Sequence, residues 1–389
     1  MTESGGGARA FRSGRRPTWI ELDLDALGRN VAAMVRELDG IPLMAVVKAN
    51  AYGHDAVAVA RTALGRGATW VATATVTEAL ALRHDGIAAP ILVLGYTAPE
   101  QVAAAVAGRL AITVSDARVL QAMDQRGREQ GRVATAHVKV DTGMSRLGLS
   151  PQLLTDFVEQ ATALRHVDLE GVYTHFRKGE DREATRQQLQ LLLVALKQAE
   201  TVGHHFRFRH AANSSAWNTV PESRLDLVRS GIELLGLRTP DQRQREPVLS
   251  FRTTVAQVRT VMPGTYVGYG DTLRADREMR VATLPVGYGD GFRRAPRNWG
   301  AVLIGGRERQ LVGDVSMDLS TVDVSGRPEV VAGDLVTLIG ADGGSNLSAE
   351  TVGERMGTIN YEVTTQLRAR VPRETRLEGE FEGGSGQPE

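Results

Sequence analysis

Short apolar runs alternate with amphipathic segments of helical length between Leu43 and about Leu237. Short, uniformly apolar runs are typical of buried β-strands, whereas the longer segments follow the helical period. The pattern predicts helices that include residues 55–64, 99–107 and 182–202. It predicts eight strands, near residues 43–48, 70–75, 91–95, 110–114, 134–140, 167–175, 206–211 and 225–229.

Eight apolar strands joined mostly by helices predict an α/β fold, a closed parallel (β/α)8 barrel of the TIM type. An open doubly wound sheet is the alternative, but no Gly-x-Gly-x-x-Gly sequence follows the first strand. The last connection, residues 214–224, is shorter and less helical than the others, which weakens the count of repeats slightly.

The pattern changes after about Pro240. Short β-rich runs at 251–261, 280–286, 301–304 and 334–339 are divided by glycine-containing turns, and one helix is predicted at 348–356. We therefore expect a mainly β C-terminal domain after the barrel. The strand-like segment 19–24 is compatible with either domain. The predicted division is a disordered tail at 1–17, the barrel at 18–240, the β domain at 241–375 and a second disordered tail at 376–389.

Composition narrows the functional class. The formal net charge is zero, so there is no global electrostatic case for binding nucleic acid or an anionic membrane. Cysteine is absent, which excludes disulfides, thiol catalysis and cysteine-ligated metals, and no metal site is predicted. No apolar stretch approaches the roughly 18 residues of a membrane span, and residues 1–17 lack the apolar core of a signal peptide. We expect a soluble, cytoplasmic protein.

Lys48 stands out because the chain uses so little lysine. Only four of its 46 basic residues are lysine, and Lys48 closes the apolar run Leu43–Val47. Arginine can carry a surface charge, but it cannot lose its proton or form an imine near neutral pH. A Schiff-base lysine is one interpretation of Lys48. The other is a lysine at a strand end that reaches solvent.

Unusual polar residues follow several of the predicted barrel strands. Active sites of this fold lie at the carboxyl ends of the strands. Lys48 ends the first strand, and residues 141–146 follow the fifth. His175 ends the sixth, Asn213 and Ser214 follow the seventh, and Arg229, Gly231 and Ile232 follow the eighth. Their clustering predicts an active site at the carboxyl ends of the strands, which we call the rim of the barrel.

Nine sequence motifs carry a resemblance to a known family. The segment Ala45-Val-Val-Lys-Ala-Asn-Ala-Tyr-Gly-His54 resembles the pyridoxal-phosphate attachment site of bacterial alanine racemases. The other motifs follow in the family's order: Lys139-Val-Asp-Thr-Gly-Met-Ser-Arg-Leu-Gly148, Thr174-His-Phe176, His210-Ala-Ala-Asn-Ser214, Arg229-Ser-Gly-Ile232, Gly268-Tyr-Gly270, Pro285-Val-Gly-Tyr-Gly-Asp-Gly291, Val315-Ser-Met-Asp318 and Ile359-Asn-Tyr-Glu-Val363. The resemblance spans about residues 18 to 372. It implies a fold-type III barrel, a β domain, a pyridoxal 5'-phosphate cofactor and a head-to-tail homodimer with shared active sites.

The resemblance implies a role for each matching residue. Lys48 holds the cofactor and is the acid/base group on one face of the substrate, and Tyr269 of the partner subunit is that group on the other face. Arg229 contacts the pyridine nitrogen. Ser214 and the amides of Gly231 and Ile232 bind the phosphate, and the hydroxyls of Tyr52 and Tyr361 complete this binding site. His175 and Asn213 are grouped with the cofactor site.

Further residues are implied to hold or support the substrate. Arg146 and the amide of Met317 resemble the groups that bind its carboxylate, and Lys139 resembles a lysine that many family members carry as a carbamate. Supporting roles fall to His210, Tyr288 and Asp318. The chain departs from the family at Asp314, at Ser316 and in the loop 177–180, which resemble the entrance to the active site.

The implied reaction is the interconversion of L- and D-alanine, which supplies D-alanine for peptidoglycan. We expect alanine as the best substrate and serine as a slower one. Several alternatives stay open: a pyridoxal-phosphate racemase of broader or different specificity, such as serine or lysine, a barrel-type pyridoxal-phosphate decarboxylase, or a non-catalytic cofactor carrier.

Overall fold

Strand β1 (Trp19–Asp23) and helix α1 (Leu24–Glu37) come first in the structure, a computed structural model that describes residues 16–238 and 244–376. The chain divides into two units, one formed by residues 27–246 and the other by the residues before 27 and after 246. Apart from Arg16, Pro17 and Arg376, the predicted disordered tails lie outside the described residues.

Eight parallel strands form the first unit, which we call the barrel unit. They are β2 (Leu43–Val46), β3 (Trp70–Thr73), β4 (Ile91–Val93), β5 (Ala111–Val114), β6 (Ala134–Lys139), β7 (Val167–Tyr173), β8 (Phe208–His210) and β9 (Val228–Ser230). The connecting helices are α2 (Lys48–Tyr52), α3 (Ala56–Gly65), α4 (Val76–His84), α5 (Val102–Ala107), α6 (Ala117–Gln130), α7 (Leu154–Thr162), α8 (Arg182–Ala199) and α9 (Ala216–Thr219). Short 3-10 turns lie at Pro99–Gln101, Pro151–Leu153, Glu200–Val202 and Pro221–Ser223.

The sheet runs in the order β8-β7-β6-β5-β4-β3-β2-β9, so β8 and β9 are its ends. These two strands meet through the amide of Asp226, which donates to Arg209 O at 3.0 Å, and that of Arg229, which donates to Ala212 O at 3.2 Å. The barrel is therefore nearly closed, and the predicted (β/α)8 class is confirmed. In the described residues, β8 and β9 form no regular ladder, unlike the other neighbouring strands of the barrel.

Burial explains why strands β2 to β5 are mostly apolar, whereas β6 to β9 carry polar residues as well. Strands β2 to β5 are buried at each position, as expected for parallel strands covered on both faces. One cluster fills the barrel interior with Met44, Val46, Trp70, Ala72, Leu92, Ala111 and Leu227. Side-chain caps start several of the surrounding helices, since Asp55, Thr75, Asp116 and Asp181 each accept a backbone amide of the first turn.

The second unit is mainly β, as predicted, and we call it the β unit. Its elements are β10 (Leu249–Thr254), β11 (Gln257–Val261), β12 (Met279–Leu284), β13 (Ala301–Ile304), β14 (Arg307–Gln310), β15 (Ser320–Asp323), β16 (Leu335–Asp342), β17 (Ser345–Leu347), α10 (Ala349–Met356), α11 (Asn360–Thr365) and β18 (Arg373–Arg376), with a 3-10 turn at Tyr288–Asp290. One sheet has the order β14-β13-β16-β10-β1-β18, with β17 beside β16, and a second has the order β11-β12-β15.

Strand β1 pairs with β10 and β18 and so belongs to the β unit, whereas the predicted boundary at residue 18 placed it with the barrel. The reason is visible in its burial. Ile20 and Leu22 are fully buried, whereas Trp19, Glu21 and Asp23 are only partly buried, as in a strand with one covered face. Within the described ranges, no helix is long and apolar enough to cross a membrane.

Candidate active site

Lys48 lies just beyond β2 and begins a left-handed turn. Ala49, Asn50, Ala51 and Tyr52 all have φ between 51° and 53°, a region that costs about 1–2 kcal/mol per residue for side chains other than glycine. Backbone bonds from Ala51 N to Val47 O at 2.8 Å and from Gly53 N to Ala49 O at 3.0 Å close the turn. Strain of this kind persists where the surrounding structure fixes the backbone.

Glu78 is what fixes this turn from outside. Its Oε1 accepts the amide of Ala49 at 2.7 Å, and its Oε2 accepts the amides of Ala74 at 2.8 Å and Thr75 at 3.2 Å. The sequence reasoning missed this residue. The Thr75-x-x-Glu78 spacing at the start of α4 is a capping-box signal and could have revealed it.

Four cations converge on this rim of the barrel: Lys48, Lys139, Arg146 and Arg229. Burial, together with Arg146 and Arg229, lowers the pKa of the Lys48 amine, although Glu78 opposes them. Burial, Arg229 and Arg146 lower the pKa of Lys139 to about 8. Both amines therefore release a proton more readily than a surface lysine, which favours nucleophilic and acid/base chemistry.

Arg229 is 3% exposed and is held from three directions. One Nη donates to His210 Nδ1 at 2.8 Å, and the other donates to Thr174 O at 2.8 Å and Ala211 O at 3.0 Å. The guanidinium lies 5.1 Å from the ring centroid of Tyr173, and burial lowers its pKa to about 10. Its position is therefore fixed before any ligand arrives.

Hydroxyl and amide donors gather where β9 ends beside β2. Ser214 Oγ lies 3.1 Å from Ser230 Oγ and accepts the amide of Gly231 at 3.2 Å. A Cβ on Gly231 would lie 2.7 Å from the Tyr52 hydroxyl, so glycine is required for this close approach. Ile232, also buried, follows in the same loop. This donor set suits a phosphate group.

His175 and Asn213 lie on the same rim. Burial first, and then the four rim cations, lower the pKa of His175 to about 3, so its imidazole is neutral at physiological pH. Asn213 Oδ1 accepts the amide of Ala216, the first residue of α9, at 3.0 Å. The loop before Arg146 is fixed by Asp141, whose Oδ1 accepts the amides of Gly143, Met144 and Ser145 at 2.9 to 3.1 Å.

The other predicted site residues lie in the β unit, and four of them, Tyr269, Tyr288, Met317 and Asp318, are exposed. Tyr269 is 67% exposed and Met317 is 53% exposed, and Tyr288 is exposed as well. Tyr269 stands between Gly268 and Gly270, whose φ values of 80° and 75° form a turn that favours glycine. Tyr361 is half-buried on α11.

A pair of ionic contacts shapes the loop that carries Met317 and Asp318. Arg370 donates to Asp290 Oδ1 at 2.6 Å, to Asp318 Oδ1 at 2.8 Å and to Met317 O at 3.3 Å. The amide of Gly289 also donates to Met317 O, at 2.9 Å. Sequence reasoning predicted Asp318 but not Arg370 or the fully buried Asp290.

Two family models match the chain: the alanine racemase N-terminal domain over residues 22–239 and the alanine racemase C-terminal domain over residues 248–375. This chain belongs to the alanine racemase family. The alanine racemase of Symbiobacterium thermophilum is 41% identical over 366 residues, which cover 92% of this chain and 97% of that relative.

Solved alanine racemase structures are similar to the whole chain as well. One from Bacillus anthracis, with bound L-Ala-P, has a TM-score of 0.88 at 36% identity and covers 94% of this chain and 96% of its own. One from Streptomyces coelicolor has a TM-score of 0.86 at 34% identity, with 92% and 98% covered. These findings confirm the predicted family, and with it an enzyme of the alanine racemase class.

The departures from the alanine racemase pattern take defined positions. Asp314 forms an ion pair with Arg294 at 2.9 Å and lies 3.5 Å from a Cβ built on Gly270, directly under the Tyr269 turn. Ser316 O accepts the amide of Tyr288 at 3.0 Å.

The backbone of the loop 177–180 is fixed by hydrogen bonds. The amide of Arg177 donates to Gln188 Oε1 at 3.1 Å, and the carbonyls of Lys178 and Gly179 accept Thr185 and Thr219 hydroxyls at 3.0 and 2.7 Å. The side chains of Arg177, Lys178 and Glu180 are exposed.

Proposed function

We propose that this protein is a pyridoxal 5'-phosphate-dependent alanine racemase that interconverts L- and D-alanine by a two-base mechanism. It would work in the cytoplasm as a homodimer and supply D-alanine for peptidoglycan. The observation that carries the proposal is Lys48, a lysine with a lowered pKa on a left-handed turn after β2. Strand β2 pairs with β9, which leads to Gly231, and the amide of Gly231 donates to Ser214.

The residues of the barrel rim fit this cofactor. Ser214, the amides of Gly231 and Ile232, and the Tyr52 hydroxyl would hold the phosphate, with Tyr361 as a further hydroxyl donor. The Lys48 amine would hold the cofactor through the cofactor's aldehyde carbon. When bound, pyridoxal phosphate makes the substrate's Cα proton acidic by delocalising the electron pair left behind.

Arg229 would face the pyridine nitrogen and keep it unprotonated. A guanidinium donates hydrogen bonds and cannot accept one, so the ring nitrogen opposite it must accept. This arrangement limits electron withdrawal and so suppresses side reactions such as transamination. Replacing Arg229 with glutamate should protonate the nitrogen and add long-wavelength absorbance. Unchanged absorbance in a folded, cofactor-loaded variant would count against this role.

Two groups would move the proton on opposite faces of the substrate. The Lys48 amine would serve one face, and Tyr269 of the partner subunit would serve the other. Arg146 and the amide of Met317 would hold the substrate carboxylate, a pairing of donors suited to its two oxygens. His175, Asn213, His210, Tyr288 and Asp318 would orient these groups.

Incorporation of solvent deuterium at Cα tests the reaction itself. We expect both alanine enantiomers to acquire deuterium without carbon dioxide release, which excludes a decarboxylase. Borohydride reduction should leave a pyridoxyl group on the peptide that contains Lys48, and Lys48→Ala should abolish it. No exchange from a cofactor-loaded protein would leave only a cofactor carrier.

Mixed dimers test the shared site. If Lys48→Ala and Tyr269→Phe chains are combined, one of the two sites in each hybrid has both intact groups. We expect hybrids to be more active than both parent dimers, of which Lys48→Ala should be inactive and Tyr269→Phe strongly slowed. Hybrids that form and stay inactive would refute the contribution of Tyr269 of the partner subunit.

Alanine should be the preferred substrate, followed by serine. Asp314 stands near the Tyr269 turn where the family often has arginine, and it pairs with Arg294, so access to the site is the property most open to change in this chain. A comparison of kcat/KM for L-alanine, L-serine and L-lysine decides the point. A preference for lysine would overturn the assignment of alanine.

We further propose that Lys139 carries a carbamate. Lys139 is 8% exposed and its amine has a pKa of about 8, so a neutral fraction is available to attack carbon dioxide, forming an N–C bond and releasing a proton to water. The anion so formed would brace Arg146. Labelling with 13C-bicarbonate should give a carbamate signal that is lost in Lys139→Ala, and a free amine in the wild type would remove the claim.

A further inference from the structure

A buried chain of side chains runs from Arg229 to a carboxylate farther down the barrel. Arg229 Nη1 lies 2.8 Å from His210 Nδ1, and His210 Nε2 lies 2.8 Å from His137 Nδ1. His137 Nε2 lies 3.4 Å from Glu170 Oε2. Both histidines are fully buried. We call these four residues, Arg229, His210, His137 and Glu170, the histidine chain.

The two ends of the histidine chain fix the protons within it. Arg229 can only donate, so His210 Nδ1 must accept, and a neutral His210 then carries its proton on Nε2. That proton is donated to His137 Nδ1, which places the His137 proton on Nε2, facing the Glu170 carboxylate. Burial is the main cause that lowers the pKa of both histidines, which keeps them neutral.

Two local features of β7 make the chain possible. The pairing of β6 with β7 shifts register between Ala136 and His137, and Glu170 is the extra residue of this bulge. Bulges re-aim a side chain, here a carboxylate toward the barrel interior. The next residue, Gly171, leaves room for the imidazole, because a Cβ there would lie 2.4 Å from His137 Nδ1.

The electrostatic need for the histidine chain comes from Arg229. A buried cation is costly unless polar groups satisfy it. In the described part of the chain, Arg229 makes no ion pair with a carboxylate, and carbonyls and the Tyr173 ring surround it. The two imidazoles turn their lone pairs toward Arg229 and their N–H groups toward Glu170, so their dipoles favour both charges.

We propose that Glu170 is a positioning residue that acts through His137 and His210 to hold Arg229 as a donor toward the cofactor's ring nitrogen. The inference rests on the proposed function for its catalytic consequence, but the proton positions follow from the geometry of the histidine chain. Glu170 itself stays away from the cofactor and acts by fixing the imidazole tautomers.

Asp168 provides a matched control on the same strand. Arg207 binds both carboxylates, with 2.7 Å to Glu170 Oε1 and 3.0 Å to Asp168 Oδ2. Only Glu170 also accepts a hydrogen bond from His137, whereas Asp168 acts on His137 through its charge and more weakly. Asp168→Asn therefore weakens the same surface contact with Arg207 and leaves the histidine chain intact.

The test compares Glu170→Leu, Glu170→Gln and Asp168→Asn as cofactor-loaded enzymes. In 15N-histidine spectra of the wild type and Asp168→Asn, we expect His137 and His210 as single Nε2–H tautomers. Glu170→Leu should give mixed tautomers. Glu170→Gln keeps a neutral acceptor of the same size, so its fraction of the Nε2–H tautomer should be intermediate. For alanine, kcat should fall about 10-fold in Glu170→Leu. Losses of this size are typical when a carboxylate that orients a metal-binding histidine is removed. KM should not change.

Three results would overturn the proposal. The first is an Nδ1–H or doubly protonated His210 in the wild type. The second is Glu170 variants with wild-type tautomers, and the third is an altered KM with an unaltered kcat. If the wild type racemises no amino acid, the proposed function fails, yet the spectra still decide whether Glu170 sets the tautomers. Glu170→Gln keeps the test decisive should Glu170→Leu not fold.

Discussion

The barrel rim and the exposed loops of the β unit present their candidate residues in opposite environments. On the rim, Arg229 and Lys139 are 3% and 8% exposed, and burial lowers the pKa of each. In the β unit, Tyr269 and Met317 are 67% and 53% exposed, on turns and loops. The rim is organised within one chain, whereas the β-unit residues lack a comparable enclosure in the described part of this chain.

This difference separates two tasks. Desolvated charges at fixed positions tune proton affinities and hold an anionic ligand, which requires a folded barrel. Exposed residues on glycine-containing turns gain function when another surface covers them. Our proposal of a homodimer with shared sites assigns that surface to the partner subunit, and the predictions below test the contrast.

Removing one acid/base group from each region should give the largest effect. Lys48→Arg keeps a cation but cannot hold the cofactor, so we expect no exchange or racemisation. Tyr269→Phe should slow racemisation by about 10²–10⁴-fold, the usual worth of general acid–base catalysis. Because Lys48 still serves its face, deuterium should enter one enantiomer only. Equal exchange into both would show that Tyr269 is dispensable.

The buried amine of Lys139 should make stability depend on pH. Its folded pKa of about 8 lies below the unfolded value of 10.5, so between them only the unfolded chain holds the proton. The free energy of unfolding should therefore rise with pH in this window, by up to about 3 kcal/mol. Urea unfolding of cofactor-free protein in carbon dioxide-free buffer measures it. Lys139→Met should lose the Lys139 share of the rise and keep that of Lys48, whose pKa is also lowered, and exposed Lys197→Met should keep the whole rise. Parallel curves for all three proteins would refute the prediction.

A methyl group on Gly231 should weaken the phosphate cradle. The new Cβ would lie 2.7 Å from the Tyr52 hydroxyl and displace it. We expect about a 10-fold weaker affinity for pyridoxal phosphate, equivalent to the loss of one good hydrogen bond. Absorbance titration of the cofactor-free protein measures this affinity. Gly65→Ala is the control, since its Cβ would meet nothing within 4 Å, and equal affinities would remove the cradle assignment.

The left-handed turn should respond to glycine in the opposite way from an ordinary helix. Ala49 has a φ of 51°, which glycine adopts freely, so Ala49→Gly should be neutral or stabilise by about 0.5 kcal/mol. The same change at Ala58 in α3 should destabilise by about 1 kcal/mol. Denaturant midpoints compare the two. Equal losses at both positions would mean that the turn carries no strain.

Sequence patterns were sufficient for features that depend on local periodicity or on residue identity. The strand of residues 301–304 and the helix after Ser348 match the structure closely, because turn residues and a capping serine mark their ends. The segment 251–261 is two strands, β10 and β11, since a break at 255–256 interrupts the run without a proline or glycine. The segment 19–24 carried no signal for its sheet because pairing partners more than 200 residues away determine it.

What the sequence determined alone was the order of strands and helices, the family, and the residue types gathered at the strand ends, because these follow from side-chain hydrophobicity and motif spacing. Only the tertiary structure decided the left-handed turn after Lys48, the support from Glu78 and the path from Arg229 to Glu170. These depend on contacts between strands distant in sequence and on burial. Burial lowers the pKa of a lysine, and the residue type alone does not show whether a lysine is buried.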